Sequence, residues 1–128
     1  MKILLDTHAF LWLMTKDQRL SSTAQKEFLN TQNEIYLSMA SVWEMAIKSS
    51  IGKLKLPLKV SEYVISRTQQ HGIYLEEIKM EHLAKIEKFP FHHRDPFDRL
   101  IIAQSIVAKF TVLTSDPKFS AYAIRTIW

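Results

Sequence analysis

Acidic residues occur in this sequence where predicted strands end and predicted helices begin. Asp6 directly follows the apolar run KILL, and Asp116 follows the run TVLT with Ser115 between them. Asp98 and Glu44 each lie in the first turns of a predicted helix. Carboxylates that converge on one crevice repel each other unless a cation compensates them. Mg²⁺ suits such a site, because it accepts one or two carboxylates and takes substrate phosphates as further ligands. The pattern therefore predicts phosphoryl chemistry.

The stretch RDPFDRLIIAQS, residues 94–105, contains two aspartates that also have a structural explanation. Asp95 followed by Pro96 is typical of a helix N-cap with proline at the first helical position. Asp98 falls at the third helical position, where a carboxylate complements the positive end of the helix dipole. On this stretch alone, helix capping accounts for both residues.

The other acids have structural alternatives as well. Asp6 can cap a helix that begins at Thr7, and Asp116 precedes a proline just as Asp95 does. Glu44 is followed four residues later by Lys48, which is the spacing of an ordinary helical ion pair. Each acid taken alone is explained by local structure, whereas the whole set indicates a shared site.

Length and composition limit the classes of protein to consider. The chain has 128 residues, of which 47% are hydrophobic, and we expect a single domain over residues 1–128. It has no cysteine, so a metal must be bound by oxygens or histidines. The net charge of +4 is a mild bias toward polyanions.

The sequence shows no sign of membrane insertion or export. No run reaches the roughly 18 apolar residues that a membrane span requires. Asp6 and His8 interrupt the apolar N-terminus, and no small-residue cleavage site follows. We therefore expect a cytoplasmic protein without a membrane partner.

Short apolar runs alternate with stretches of helical periodicity. Strands are predicted over residues 2–5, 34–37, 73–75, 110–113 and 126–128. Helices are predicted over residues 7–14, 21–29, 39–50, 60–70, 80–87 and 96–108. Strands joined by helical crossovers form parallel sheets covered on both faces, so we expect an α/β fold of three layers with a central parallel sheet of four to five strands. The working crevice of such a sheet lies at the carboxyl ends of its strands, near the reversal in strand order.

Four stretches of the chain, in this order and spread over nearly its whole length, carry a family resemblance: LLDTHAFLWL, SVWEMAIK, RDPFDRLIIAQ and VLTSD. Together they resemble PIN-domain proteins, specifically the VapC-like toxin ribonucleases of bacterial toxin–antitoxin pairs. The resemblance implies a PIN-like fold and a Mg²⁺- or Mn²⁺-dependent endoribonuclease that leaves 5′-phosphate and 3′-hydroxyl ends on RNA. It also implies a homodimer, held inactive by a cognate antitoxin whose tail enters the crevice.

Position by position, the resemblance assigns the catalytic and metal-binding roles to four acids: Asp6, Glu44, Asp98 and Asp116. Asp98 rather than Asp95 takes the family's position before the apolar LIIA run. Asp95 is then the cap that orients Asp98, and an outer role for it at the site stays open. Thr7 and Ser115 each adjoin a site acid and are predicted either to hydrogen-bond a carboxylate or phosphate or to make only local cap interactions.

Basic residues near these stretches suggest a surface for RNA. A cationic rim that receives RNA phosphates is predicted from His92, His93, Arg94 and Arg99, with Lys48 as a further contact. The alternative for the two histidines is an ordinary solvated loop.

Three other functions fit parts of the pattern. A phosphorelay receiver domain needs adjacent acids after the first strand, where only Asp6 is present. A haloacid dehalogenase-type phosphatase needs a second aspartate two residues after Asp6, where the chain has His8. A non-catalytic RNA-binding or protein-binding PIN domain is the third alternative, and the presence of all four acids argues against it.

Overall fold

The computed structural model describes residues 1–128, in which strands and helices alternate. The strands are β1 (Lys2–Leu5), β2 (Glu34–Ser38), β3 (Tyr74–Glu76), β4 (Thr111–Leu113) and β5 (Arg125–Ile127). The α-helices are α1 (Thr7–Thr15), α2 (Ser22–Leu29), α3 (Met39–Ser50), α4 (Val60–His71), α5 (Met80–Glu87) and α6 (Pro96–Ala108). A 3-10 helix, Pro117–Ala121, connects β4 to β5.

The strands form one sheet in the order β3-β2-β1-β4-β5, and every pair is parallel. The chain runs outward from β1 to β3 on one side, then returns to place β4 and β5 on the other. The order therefore reverses at β1, between β2 and β4. This confirms the predicted α/β fold with a central parallel sheet flanked by helices.

Successive residues of β1 point to opposite faces of the sheet, as the pleat requires. Ile3 and Leu5 join a buried cluster that includes Phe10 of α1 and Met45 of α3. Leu4 packs into a second cluster. The partners of Leu4 there include Ile101 and Ile102 of α6, Val112 of β4 and Phe119 of the 3-10 helix. Because β1 is covered on both faces, its position at the centre of the molecule is fixed.

The ends of several helices follow from their capping residues. Asp6, Asp95 and Asp116 are the N-caps of α1, α6 and the 3-10 helix, and each side chain accepts a hydrogen bond from a main-chain N–H of its own helix. Gly72 ends α4 with a φ of +65°, a left-handed conformation that glycine adopts without strain. The capping predictions for these aspartates are confirmed.

The element bounds agree with the predicted ones to within one or two residues, with one addition. Strand β4 begins at Thr111 rather than at Phe110, because the N–H of Phe110 donates to the carbonyl of Ser105 and so completes the last turn of α6. The 3-10 helix was not predicted. No helix combines the length and apolar composition needed to cross a bilayer.

Candidate active site

The reversal of strand order brings two of the predicted acids to the same edge of the sheet. Asp6 directly follows β1, and its main-chain N–H donates to the carbonyl of Leu113 at the end of β4, at 3.3 Å. Asp116 follows β4 by three residues. The site therefore forms where the carboxyl ends of adjacent parallel strands meet.

Asp6 is buried and held by two hydrogen bonds. Its Oδ1 accepts from the N–H of Ala9 at 2.7 Å, and its Oδ2 accepts from Oγ1 of Thr114 at 2.5 Å. Burial raises the pKa of the Asp6 carboxyl, and the hydrogen bonds from Thr114 and Ala9 only partly oppose this effect. The carboxyl group is thus fixed in orientation by the chain itself.

Glu44 projects from α3 and is also buried. Its Oε1 accepts from Oγ1 of Thr7 at 2.6 Å, which confirms that Thr7 hydrogen-bonds a carboxylate. Its Oε2 lies 2.7 Å from Nζ of Lys48, so the predicted helical ion pair forms. Lys48 therefore compensates the charge of Glu44.

Asp98 occupies the first turn of α6 and accepts no side-chain hydrogen bond that would fix it there. The cap of this helix is Asp95, whose Oδ1 accepts from the N–H groups of Phe97 and Asp98 at 2.8 and 3.1 Å. Burial is the main cause that raises the pKa of Asp98 to about 8. The repulsion of nearby carboxylates adds to it, in decreasing order from Asp95, Asp6, Glu44 and Asp116. The other three acids predicted to form the site are thus close enough to Asp98 to raise its pKa.

Thr114 connects two of these acids and was not predicted. Its hydroxyl donates to Asp6 and accepts from the N–H of Asp116 at 3.0 Å. Ser115 is exposed and its side chain makes no hydrogen bond, so the prediction that it hydrogen-bonds a carboxylate is not met. The role expected of Ser115 belongs to Thr114, since residues at the end of a strand alternate in direction and Thr114 faces the site.

His93 lies at the centre of the site, although the sequence suggested a rim position or a solvated loop. Its side chain is 7% exposed, and Nε2 lies 2.7 Å from Oδ2 of Asp98 and 3.4 Å from Oδ2 of Asp116. The rim prediction for His93 is therefore wrong. Its partners lie 5 and 23 residues further along the chain, and the only local sign was its place two residues before the helix cap Asp95.

Arg99 is likewise not on a cationic rim. It is buried, and its guanidinium donates to the main-chain carbonyls of Ile86, Pro90 and His93 at 3.2 to 3.3 Å. The rim prediction for Arg99 is wrong because its charge is used to hold the preceding loop. Arg94 and His92 are exposed, so an RNA-binding role for these two stays a prediction.

The donor set fits a hard divalent cation. Oxygens of Asp98 and Asp116 lie with the His93 nitrogen in a group whose potential ligand atoms are all within 4.8 Å of one another. Neither aspartate forms an ion pair with a lysine or arginine. Partly buried carboxylates grouped without lysine or arginine partners are the arrangement that Mg²⁺ or Mn²⁺ compensates.

The family of the chain follows from a comparison with known domains. The PIN domain model matches residues 3–125, so the chain belongs to the PIN domain family. Members of this family are in general nucleases. Among proteins with curated descriptions, none matches the sequence.

Several solved structures share this fold. VapBC2 from Rickettsia felis, bound to a DNA fragment from its promoter, is 15% identical with a TM-score of 0.73, over 99% of this chain and 98% of that chain. FitAcB from Neisseria gonorrhoeae is 20% identical with a TM-score of 0.64, over 98% and 96% of the two chains. A toxin–antitoxin complex from Klebsiella pneumoniae is 15% identical with a TM-score of 0.62, over 98% and 96%. At these identities the similarity shows a common fold.

Proposed function

We propose that this protein is a metal-dependent endoribonuclease that hydrolyses RNA phosphodiester bonds with Mg²⁺, or with Mn²⁺ in its place. The observation that carries the proposal is the position of the Asp98 carboxyl near four other acids at the carboxyl edge of the sheet. Such a concentration of negative charge destabilises the fold unless a cation is bound. Membership of a family of nucleases supports the same reaction class.

The acids have distinct roles in this proposal. Asp98 and Asp6 would hold the ion, and Asp116 and Glu44 would complete the site or orient the attacking water. When bound, the ion neutralises the phosphodiester and lowers the pKa of the attacking water. Thr114 and Thr7 fix the carboxylates of Asp6 and Glu44.

The biological role proposed here is that of the toxin in a toxin–antitoxin pair. The shared fold with the Klebsiella pneumoniae toxin–antitoxin complex and with VapBC2 and FitAcB supports it. A cognate antitoxin would then cover the acidic crevice, and the active form would be a homodimer acting in the cytoplasm. Expression of the wild type should arrest growth of a bacterial host, and expression of Asp98→Asn should not. Arrest by both proteins would contradict a toxic nuclease activity.

The nuclease activity is tested with a mixed pool of structured RNA and purified protein, in Mg²⁺ and in EDTA. Asp98→Asn and Asp95→Asn form a matched pair, because asparagine still caps a helix but binds cations poorly. We expect metal-dependent cleavage that is lost in Asp98→Asn and largely kept in Asp95→Asn. If neither Mg²⁺ nor Mn²⁺ supports cleavage while the wild type still binds RNA or a protein partner, the non-catalytic PIN domain replaces this proposal.

A further inference from the structure

The main chain and the ring of His93 are held by contacts outside its own loop. Its main-chain N–H donates to the hydroxyl of Tyr122 at 3.0 Å, and its carbonyl accepts from Nη1 of Arg99 at 3.3 Å. Its ring packs edge-on against Phe119, with centroids 6.0 Å apart and an interplanar angle of 86°. The orientation of the imidazole is therefore set by the fold.

The hydrogen bond at Nδ1 decides which ring nitrogen of His93 carries the proton. The main-chain N–H of Asp95 donates to Nδ1 at 3.3 Å, so Nδ1 presents a lone pair. In a neutral imidazole one nitrogen accepts and the other carries the hydrogen. Nε2 is therefore an N–H donor that faces the side chains of Asp98 and Asp116.

This donor lies between two acceptors on different elements. Nε2 is 2.7 Å from the Asp98 carboxylate at the start of α6 and 3.4 Å from the Asp116 carboxylate at the start of the 3-10 helix. It is buried and is aligned for a hydrogen bond with neither of them. A buried polar atom without a formed hydrogen bond is rare in native structures and calls for a physical explanation. The explanation here is that a single N–H lies between two carboxylates and can donate to either.

We propose that His93 is a positioning residue whose Nε2–H is shared by Asp98 and Asp116 and keeps both carboxylates at one cation site. Only oxygen atoms would bind the cation at this site. This inference rests on the metal site of the proposed function and adds a residue that the four acids do not include. As a metal ligand, His93 would need its proton on Nδ1, where that proton would face the N–H of Asp95. Without a nitrogen ligand the site lacks the imidazole that suits Zn²⁺ and consists of the oxygen ligands that suit Mg²⁺ and Mn²⁺.

The first test is long-range ¹H–¹⁵N NMR of the histidine side chains, assigned with His93→Gln and recorded without metal, with Mg²⁺ and with Zn²⁺. We expect His93 to keep the proton on Nε2 in all three samples. A proton on Nδ1, or an Nε2 that loses its proton when Mg²⁺ is added, would overturn the proposal; a small shift of a still protonated Nε2 is expected, because its carboxylate partners bind the ion. This measurement uses the wild-type protein and needs no RNA cleavage.

The second test is Mg²⁺ affinity by calorimetry in three variants. His93→Gln keeps an N–H donor near the position of Nε2, whereas His93→Met fills the space without a donor. His71→Met, at an exposed histidine that ends α4 and lies outside the site, is the control. We expect His93→Met to lose about 10- to 100-fold in affinity, the range found for groups that orient metal ligands, and the other two to stay within a few fold of the wild type.

Equal losses of Mg²⁺ affinity in His93→Gln and His93→Met would instead indicate that His93 ligates the ion directly, which would overturn the positioning role. Unchanged affinity in His93→Met would overturn it as well. If His93→Met does not fold, the proton position in the wild type decides the question. If Mg²⁺ affinity follows the expected order but no RNA is cut, the nuclease proposal fails and the role of His93 stands.

Discussion

At the scale of single residues, the four acids of the site differ in what their oxygens already contact. Both oxygens of Asp6 and both oxygens of Glu44 accept hydrogen bonds from the chain. Asp98 accepts none, and Asp116 uses one oxygen to cap the 3-10 helix. The first two are thus pre-oriented, and the last two are free to respond to a ligand. This difference makes the threonines that fix Asp6 and Glu44 testable parts of the site.

Replacing Thr114 by valine removes the hydroxyl and keeps the side-chain shape. The buried Asp6 carboxyl then loses its 2.5 Å donor, and its pKa should rise further because that hydrogen bond lowers it. We expect a loss of about 1–3 kcal/mol in the free energy of unfolding, measured in urea, since a buried acceptor is left unpaired. Cleavage should fall about 10- to 100-fold. Ser115→Ala is the control and should change neither quantity, because the Ser115 side chain is exposed and unbonded.

The raised pKa of Asp98 predicts how the stability of the metal-free protein depends on pH. Its carboxyl titrates at about 8 in the fold against an ordinary value of 3.8. Between these values the folded state holds a proton that the unfolded state has released, so stability is lost as pH rises from about 4 to 8. Asp98→Asn removes this ionisation and should be more stable than the wild type at pH 8 by about 1–3 kcal/mol, but not at pH 4.

Urea unfolding across this pH range in EDTA measures the effect. Asp6 changes stability in the same direction, since its pKa is also raised, so some decline should remain in the variant. Parallel pH profiles for the wild type and Asp98→Asn would show that Asp98 is ionised at neutral pH in the folded protein.

At the scale of elements, the connection from α5 to α6 is organised by a single arginine of α6. The Arg99 guanidinium donates to carbonyls before and within the loop and to the hydroxyl of Tyr122 at 3.4 Å. Tyr122 in turn accepts from the N–H of His93. The loop that carries His93 is therefore attached to the helix that carries Asp98, and the two site residues are held as one unit.

Arg99→Met should release this loop. Methionine keeps an unbranched aliphatic stem but has no guanidinium, so the buried and partly buried carbonyls of Ile86, Pro90 and His93 lose a charged donor. We expect a loss of about 2–4 kcal/mol in the free energy of unfolding and faster proteolysis within residues 88–95. Arg94→Met, at an exposed position in the same segment, is the control. Equal stability of the two variants would contradict the role given to Arg99.

The elements could be predicted from the sequence because their signals are local. Short apolar runs placed the strands, and Asp95 followed by Pro96 marked a helix start that the structure has at the same place. The capping and site predictions for Asp6 and Asp116 are compatible, because a residue that ends a parallel strand and starts a helix lies at the functional edge of the sheet. The 3-10 helix has too short a pattern to be distinguished from a loop.

The site could be predicted only in part, because its remaining members depend on tertiary contacts. Apart from its place two residues before the cap Asp95, His93 has no local feature that separates it from the exposed His92 beside it. Its burial depends on Tyr122 and Phe119, which are distant in sequence. Arg99 was mistaken for an RNA contact for the same reason, since a buried arginine that binds carbonyls has the same sequence appearance as an exposed one.

At the scale of the whole molecule, charge is unevenly distributed. The chain carries a net charge of +4, yet its site concentrates acids at one edge of the sheet. The repulsion among those acids is a cost to the folded state that a bound cation would remove. Binding that is restricted to the folded state stabilises it by mass action, by about 2.7 kcal/mol at an ion concentration 100 times Kd.

Mg²⁺ should therefore raise the Tm of the wild type by several degrees at pH 8. At this pH the ion competes less with the proton on Asp98 than it does at neutral pH. Asp98→Asn should lose most of this rise, and Asp95→Asn should keep it, because asparagine also caps α6. Scanning calorimetry with NaCl at matched ionic strength separates binding from screening of the acids. An equal rise in NaCl, or an undiminished rise in Asp98→Asn, would mean that the acids do not form a specific cation site, and the metal-dependent reaction proposed here would lose its basis.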